Sequence, residues 1–171
     1  MGVVLVVLSG LPGVGKTAIV HEVARHIGAV HLRIDSIEQA IRNSGVVQGS
    51  IDDAGYRVAY ALAEDNLRLG QIVIADSVNP IQLTRDAWLD VAARANVQAV
   101  EIEIVCADAN EHRRRVETRT ADIFGLRLPT WDEVLARGLA PWNREHLVLD
   151  TASKTQEETA ATVLETLRKF L

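Results

Sequence analysis

The chain has 171 residues, 48% of them hydrophobic and 24% charged, with 18 basic against 23 acidic side chains and a single cysteine. At about 150 residues per domain, this reads as one domain over 1–171 with a sizeable core, and it excludes both a disordered chain and a disulfide scaffold, since Cys106 has no partner. The net charge of −5 disfavours non-specific nucleic-acid binding. The apolar run from Val3 to Leu8 lacks a basic leader and is far shorter than the ~20 residues that span a bilayer, so a soluble, cytoplasmic protein without membrane contact is expected.

Val3 to Leu8 is a continuous apolar run ending in Ser9-Gly10, the pattern of a strand buried on both faces, and it is expected at the centre of the sheet. From Lys16 the period becomes helical, with Ile19, Val20, Val23 and Ile27 on one face and Gly28 placed to stop it. Val30 to Ile34 reads as a second strand, followed by Asp35-Ser36 and a helix through Ile37, Ala40 and Ile41. Gly45 to Asp53 is polar and glycine-bearing, and is expected to be mobile. A long helix from about Ala54 carries Val58, Ala61, Leu62, Asp65 and Leu69, and Gly70 ends it. Ile72 to Asp76 predicts the third strand. A fourth helix with Pro80 in its first turn has Leu83, Ala87, Leu89 and Val91 as its apolar positions.

Val97 to Val105 and Leu147 to Leu149 supply the last two strands. Between them Asn110 to Arg137 is arginine-rich and interrupted by Gly125 and Pro129, an excursion from the sheet, with Trp131 and Trp142 read as packing residues on its return path. Gln156 to Leu171 closes the chain as an amphipathic helix. Strands alternating with helices predict a parallel α/β sheet whose ligands bind beyond the carboxyl ends of the strands.

Gly10-Leu11-Pro12-Gly13-Val14-Gly15-Lys16-Thr17 matches G-x-x-x-x-G-K-[ST] in full, between an apolar strand and an amphipathic helix. Its glycines let backbone N–H groups turn toward a polyphosphate at a helix N-terminus. Lys16 can reach the outer phosphates, and the Thr17 hydroxyl can coordinate Mg²⁺. The motif predicts nucleoside triphosphate binding and does not by itself separate a kinase from a switch.

Asp35 and Asp76, each at a strand end, should project into the same rim. Two such acids suit phosphoryl transfer to a hydroxyl, one to orient and deprotonate the acceptor and one in the metal shell, the second role falling to Asp76. Asp35 also reads as a helix cap, with Glu38 three residues on completing a capping box. Asn79 and Arg85 follow Asp76 and could hydrogen-bond an acceptor, or be solvated surface residues. Arg115 and Arg119, four apart and near Arg113 and Arg114, could meet a triphosphate, or pair with Glu111 and Glu117 on a solvated face. The five histidines show no metal-ligand spacing.

With these motifs the chain resembles the small P-loop kinases, AAA-type proteins that include chloramphenicol phosphotransferase, adenylylsulfate kinase, zeta toxins and the kinase domain of polynucleotide kinase. The resemblance runs through the Walker A loop, Asp35, Gly70 to Asp76 with Asn79 and Arg85, the Arg115/Arg119 pair and Leu147 to Thr151. It implies a three-layer P-loop fold with five parallel strands, an arginine-bearing lid at about 113–140, and ATP- and Mg²⁺-dependent phosphorylation of a small molecule. It further implies Asp35 as acceptor base, with Asp150 and Thr151 close to the adenine. Polynucleotide kinases carry arginine three residues after that acid where this chain has Glu38, which speaks against a polynucleotide acceptor.

A nucleotide-dependent switch and a nucleic-acid 5'-kinase are the competing readings. The chain has no Asn-Lys-x-Asp guanine motif, and only 4% aromatic residues to stack bases. The acceptor pocket is expected between Gly45 to Asp53 and the lid.

Overall fold

The structure, a computed structural model, describes residues 2–171. Five strands, β1 (Val4–Ser9), β2 (Val30–Arg33), β3 (Val73–Asp76), β4 (Gln98–Val105) and β5 (Leu147–Asp150), form one sheet in the order β2-β3-β1-β4-β5. Every pairing is parallel. The helices are α1 (Lys16–Ile27), α2 (Ile34–Asn43), α3 (Ala54–Arg68), α4 (Gln82–Ala95), α5 (Ala109–Thr118), α6 (Trp131–Arg137) and α7 (Gln156–Leu167).

All six residues of β1 are buried, because the strand has neighbours on both edges and helices on both faces. Alternation divides its side chains between two cores. Val4, Val6 and Leu8 pack with Ile19 and Val20 of α1 and Val163 and Leu167 of α7. Leu5 and Val7 pack with Ala59 and Ala63 of α3 and Trp88 and Val91 of α4. The central position expected for the first strand, and the α/β class with five parallel strands, are the observed ones. The carboxyl ends of β1 and β3 are level, with Leu8 opposite Asp76, and that register sets the phosphate loop beside the acid.

Three local readings are corrected. In α3 the buried residues are Gly55, Ala59, Ala63 and Leu67, whereas Val58 and Leu62 are 41% exposed and Leu69 is 77% exposed. Small side chains on the inward face let α3 lie close to α4 and the sheet, and the larger apolar residues turn outward. In α4, Leu83 is 74% exposed and the buried face carries Arg85, Trp88, Val91 and Ala92. The helix begins at Gln82 after an extended Ile81, so Pro80 precedes its first turn. The second strand ends at Arg33, and Asp35 lies within the first turn of α2 and not before it.

Candidate active site

The loop between β1 and α1 is shaped by its glycines. Gly10 has φ 145°, and a β-carbon there would overlap the Ile104 carbonyl. Gly15, with φ 103°, turns the chain into α1 in a conformation that disfavours any other residue. Among the described residues, the backbone N–H groups from Gly13 to Thr17 donate to no protein acceptor. They form an anion-binding cup at the positive end of the helix. Lys16 is buried and its Nζ donates to the carbonyls of Gly10 at 2.7 Å and Leu11 at 3.0 Å. Burial pushes the lysine pKa down, opposed by the charges of Asp76 and Asp35.

Thr17 Oγ1 donates to Asp76 Oδ2 at 2.7 Å, and His31 Nε2 stands 3.3 Å from the same oxygen. Burial alone would raise the Asp76 carboxyl. The His31 hydrogen bond, the Lys16 charge and the Thr17 hydroxyl together hold it below its usual value. A hydroxyl and a carboxylate in contact are hard oxygen ligands of the kind Mg²⁺ takes alongside phosphate oxygens and water. Among the described residues no group of three or more His, Cys, Asp or Glu could cage a metal without such added ligands.

These groups open into one cavity of about 810 Å³. Its phosphate-loop wall has Pro12, Gly13, Gly15, Lys16 and Thr17; Asp35, Glu38, Gln39 and Arg42 of α2 form another wall, and Arg115, Arg119 and Arg137 line it as well. The structure thus brings Lys16, Thr17, Asp35, Asp76, Arg115 and Arg119 together. Gly10 and Leu11 lie beneath, holding Lys16. A smaller cavity of about 200 Å³ adjoins the loop at Val14 and Gly15 and is lined by Arg115, Thr151, Lys154 and Thr155.

Arg115 is fixed, donating to Thr151 Oγ1 and Thr151 O at 2.9 Å each and to Glu111 at 2.7 Å. Thr151 in turn donates to the Val14 carbonyl at 2.8 Å. Arg119, at the end of α5, forms no ion pair among the described residues, and its Nε is buried without a partner. Burial pushes its pKa down, against the attraction of Asp35. Arg113 and Arg114 instead pair with Glu117 and Glu111 on the exposed side of α5.

Three residues expected in the site lie elsewhere, and so does one loop. Asn79 is fully buried: its N–H donates to the Tyr56 hydroxyl, its Nδ2 donates to Ser9 Oγ, and its Oδ1 accepts from Trp88 Nε1. Arg85, 1% exposed, donates to the carbonyls of Asn79, Ala140 and Pro141 and lies 4.2 Å from the Trp142 ring centroid. Neither lines either of the two cavities described above. Asp150 accepts from the N–H groups of Ala107 and Ala152, bracing the turn after β5 and lining neither cavity. No residue from 45 to 53 lines the large cavity. That wall belongs to α2. Asp35 carries no capping bond, since the N-cap position is Arg33.

Sequence reasoning missed Gln39, Arg42 and Arg137 as cavity residues. The 35, 38, 39, 42 spacing was a signal, because i, i+3, i+4, i+7 marks one helical face. Arg137 falls inside the arginine-bearing lid expected at about 113–140, but no local pattern singled it out, since only folding carries α6 to the cavity.

The glycine-rich loop at the end of a central parallel strand, with lysine, threonine and a strand-end aspartate converging, defines a P-loop protein. The chain belongs to the AAA domain family, whose model matches residues 5–141. No curated protein matches the sequence. Among solved structures, an APS kinase of Mycobacterium tuberculosis in complex with AMPPNP and APS is 19% identical, with a TM-score of 0.71 over 97% of this chain and 98% of that one. A gluconokinase from Sinorhizobium meliloti is 17% identical, with a TM-score of 0.63 over 96% and 91%. A tunicamycin resistance protein of Deinococcus radiodurans is 14% identical, with a TM-score of 0.68 over 97% and 96%. The fold is the one these proteins share.

Proposed function

We propose that the protein is an ATP-dependent phosphotransferase that passes the γ-phosphoryl group to a hydroxyl of a small molecule. The observation that carries this reading is the single cavity that joins the phosphate loop to Asp35 on α2. A slow nucleotide switch needs no second chamber facing the γ-phosphate, whereas a kinase needs one for its acceptor. Two of the structural neighbours bear the names APS kinase and gluconokinase, which agrees with the reading.

The placement of the residues supports the following roles. The loop N–H groups and Lys16 hold the β- and γ-phosphates, Lys16 exchanging its bonds to Gly10 and Leu11 for phosphate oxygens. Thr17 and Asp76 would hold Mg²⁺, which when bound neutralises phosphate charge. Arg119 sets an unpaired guanidinium against the developing charge, and Asp35 orients the acceptor hydroxyl and takes its proton. The smaller cavity beside Thr151 and Arg115 suits the nucleoside. Within the lid expected at about 113–140, residues 119–130, which join α5 to α6, are the part that moves. They are tied to the body by the two-pronged Arg33–Asp122 pair, whose carboxylate is exposed, and by Asn43 Nδ2 donating to the Phe124 carbonyl. The single Cys106, free and buried, is compatible with a reducing cytoplasm. No helix of the described residues is long and apolar enough to cross a membrane.

Acceptor-dependent ADP release across alcohols, sugars, nucleosides and antibiotics tests the reading, with Lys16→Ala as control. Loss of about 10²-fold or more in that variant is expected. Wild-type protein that hydrolyses ATP at one slow rate whatever acceptor is present would instead favour a switch.

A further inference from the structure

Asp35, Glu38, Gln39 and Arg42 share one face of α2 and all line the cavity. The first three carry acceptor oxygens that the protein engages weakly or not at all: Asp35 and the Gln39 carbonyl have no donor among the described residues, and Glu38 has only a long contact with Arg42. Asp35 makes no hydrogen bond or ion pair among the described residues. Glu38 is half-buried, its nearest cation, Arg42 Nη2, is 3.6 Å away, and burial pushes its carboxyl pKa up. Gln39 is only 7% exposed; its Nε2 donates to Asn43 Oδ1 at 2.8 Å, and its Oε1 accepts nothing from the described residues. The residue is largely buried, yet its carbonyl oxygen is not shut away from solvent, so on the cavity wall it is free to accept from a ligand.

A second observation comes from α3. Gly55 is buried in the first turn of that helix with no positive φ, so its backbone conformation does not demand glycine, which a helix favours less than alanine. Its surroundings do demand it: a β-carbon there would overlap Glu38 Cγ and stand 3.1 Å from Oε1. The missing side chain seats the Glu38 carboxylate where it lies.

We propose that this face of α2 recognises a neutral, polyhydroxylated acceptor, with Asp35 taking the hydroxyl that is phosphorylated and Glu38 and Gln39 taking hydroxyls beside it. The proposal rests on the phosphotransferase reading above and deepens it. The hydroxyl proton passes to Asp35 as the new bond to the γ-phosphorus forms. The bond from that phosphorus to the bridging oxygen breaks, and ADP leaves with the electron pair. Monohydric alcohols would bury Glu38 and Gln39 unpaired, which discriminates against them. Phosphorylated acceptors would bring an anion against two carboxylates. Cationic amines would meet the guanidinium of Arg42 on this same face and those of Arg119 and Arg137 on the surrounding wall. Glu38 is the specificity-determining residue of this arrangement.

The experiment measures ADP release and product mass with hexoses, pentitols and inositol against monohydric alcohols, sugar phosphates and amino sugars. It uses wild type, Glu38→Gln and Gly55→Ala, with melting temperature and ATP-analogue affinity recorded for each. Neutral polyols should be turned over with kcat/KM at least about 10-fold above monohydric alcohols. Both variants should raise the acceptor KM about 10-fold while the KM for ATP stays within about twofold. Gly55→Ala moves the carboxylate without altering its charge, so agreement between the variants separates position from electrostatics. A panel in which no neutral polyol is turned over overturns the inference, as does an acceptor KM that neither variant changes. Failure of the wild type to bind the ATP analogue would instead defeat the phosphotransferase reading itself.

Discussion

The Thr17 hydroxyl and the Asp76 carboxylate, 59 positions apart in the chain, meet at 2.7 Å because parallel pairing of β1 and β3 brings the two strand ends level. On the proposed reading the two oxygens would hold Mg²⁺ together. Thr17→Ala and Asp76→Asn should each lower phosphoryl transfer by about 10²-fold, and chelation of Mg²⁺ should abolish it. Turnover assays against Mg²⁺ concentration check this: the variants should demand more metal, whereas an unchanged Mg²⁺ dependence would remove the pair from the metal site.

Asp35 should matter for transfer and not for folding. Asp35→Asn should reduce transfer about 10²-fold with the ATP-analogue affinity unchanged. With no capping bond to lose, Asp35→Ala forfeits only its interaction with the helix dipole, about 0.3–1 kcal/mol. Full activity of the asparagine variant would leave Asp76 as the carboxylate for the role.

Acid stability should report the environment of Asp76. Its folded pKa is depressed below the unfolded value near 3.8, so its contribution is present above that pH and is lost as the pH falls through the lower folded value. The stability gap between wild type and Asp76→Asn should therefore narrow as the pH is taken from 6 to about 3. Urea midpoints at several pH values measure it, and a gap that widened on acidification would contradict the assigned sign.

Asn79 should prove to be a structural residue. It joins Ser9, Tyr56, Arg85 and Trp88 through buried hydrogen bonds, and its φ of 49° suits asparagine better than alanine. Asn79→Ala should cost about 2–3 kcal/mol of stability by leaving buried polar groups unpaired. The acceptor KM of the folded variant should stay unchanged, and urea unfolding with steady-state kinetics separates the two effects.

Much of the molecule was legible as sequence wherever the signal was local. The apolar run of β1, the eight-residue phosphate loop and the Gly28 stop, with its φ of 67°, depend on steric and hydrogen-bonding rules that act within a few residues. The outward turn of Val58, Leu62 and Leu83 was not legible, because which helical face is buried depends on what lies opposite, and small or polar residues won where close approach or a buried network required them.

The sequence alone determined the order of the strands and of the helices outside the excursion at 110–137, the central apolar strand and the position of the phosphate cup, since backbone sterics and periodicity suffice for these. Only the tertiary structure decided which side chains reach the cup. It sent Asn79 and Arg85 into the core, gave Asp150 to a turn, and put α2 in place of residues 45–53 on the wall of the large cavity. It also set Gly55 against Glu38. The physical reason is that a residue's role in a site is a contact between distant segments, and such contacts are selected by packing of the whole sheet and its helices, which no local pattern encodes.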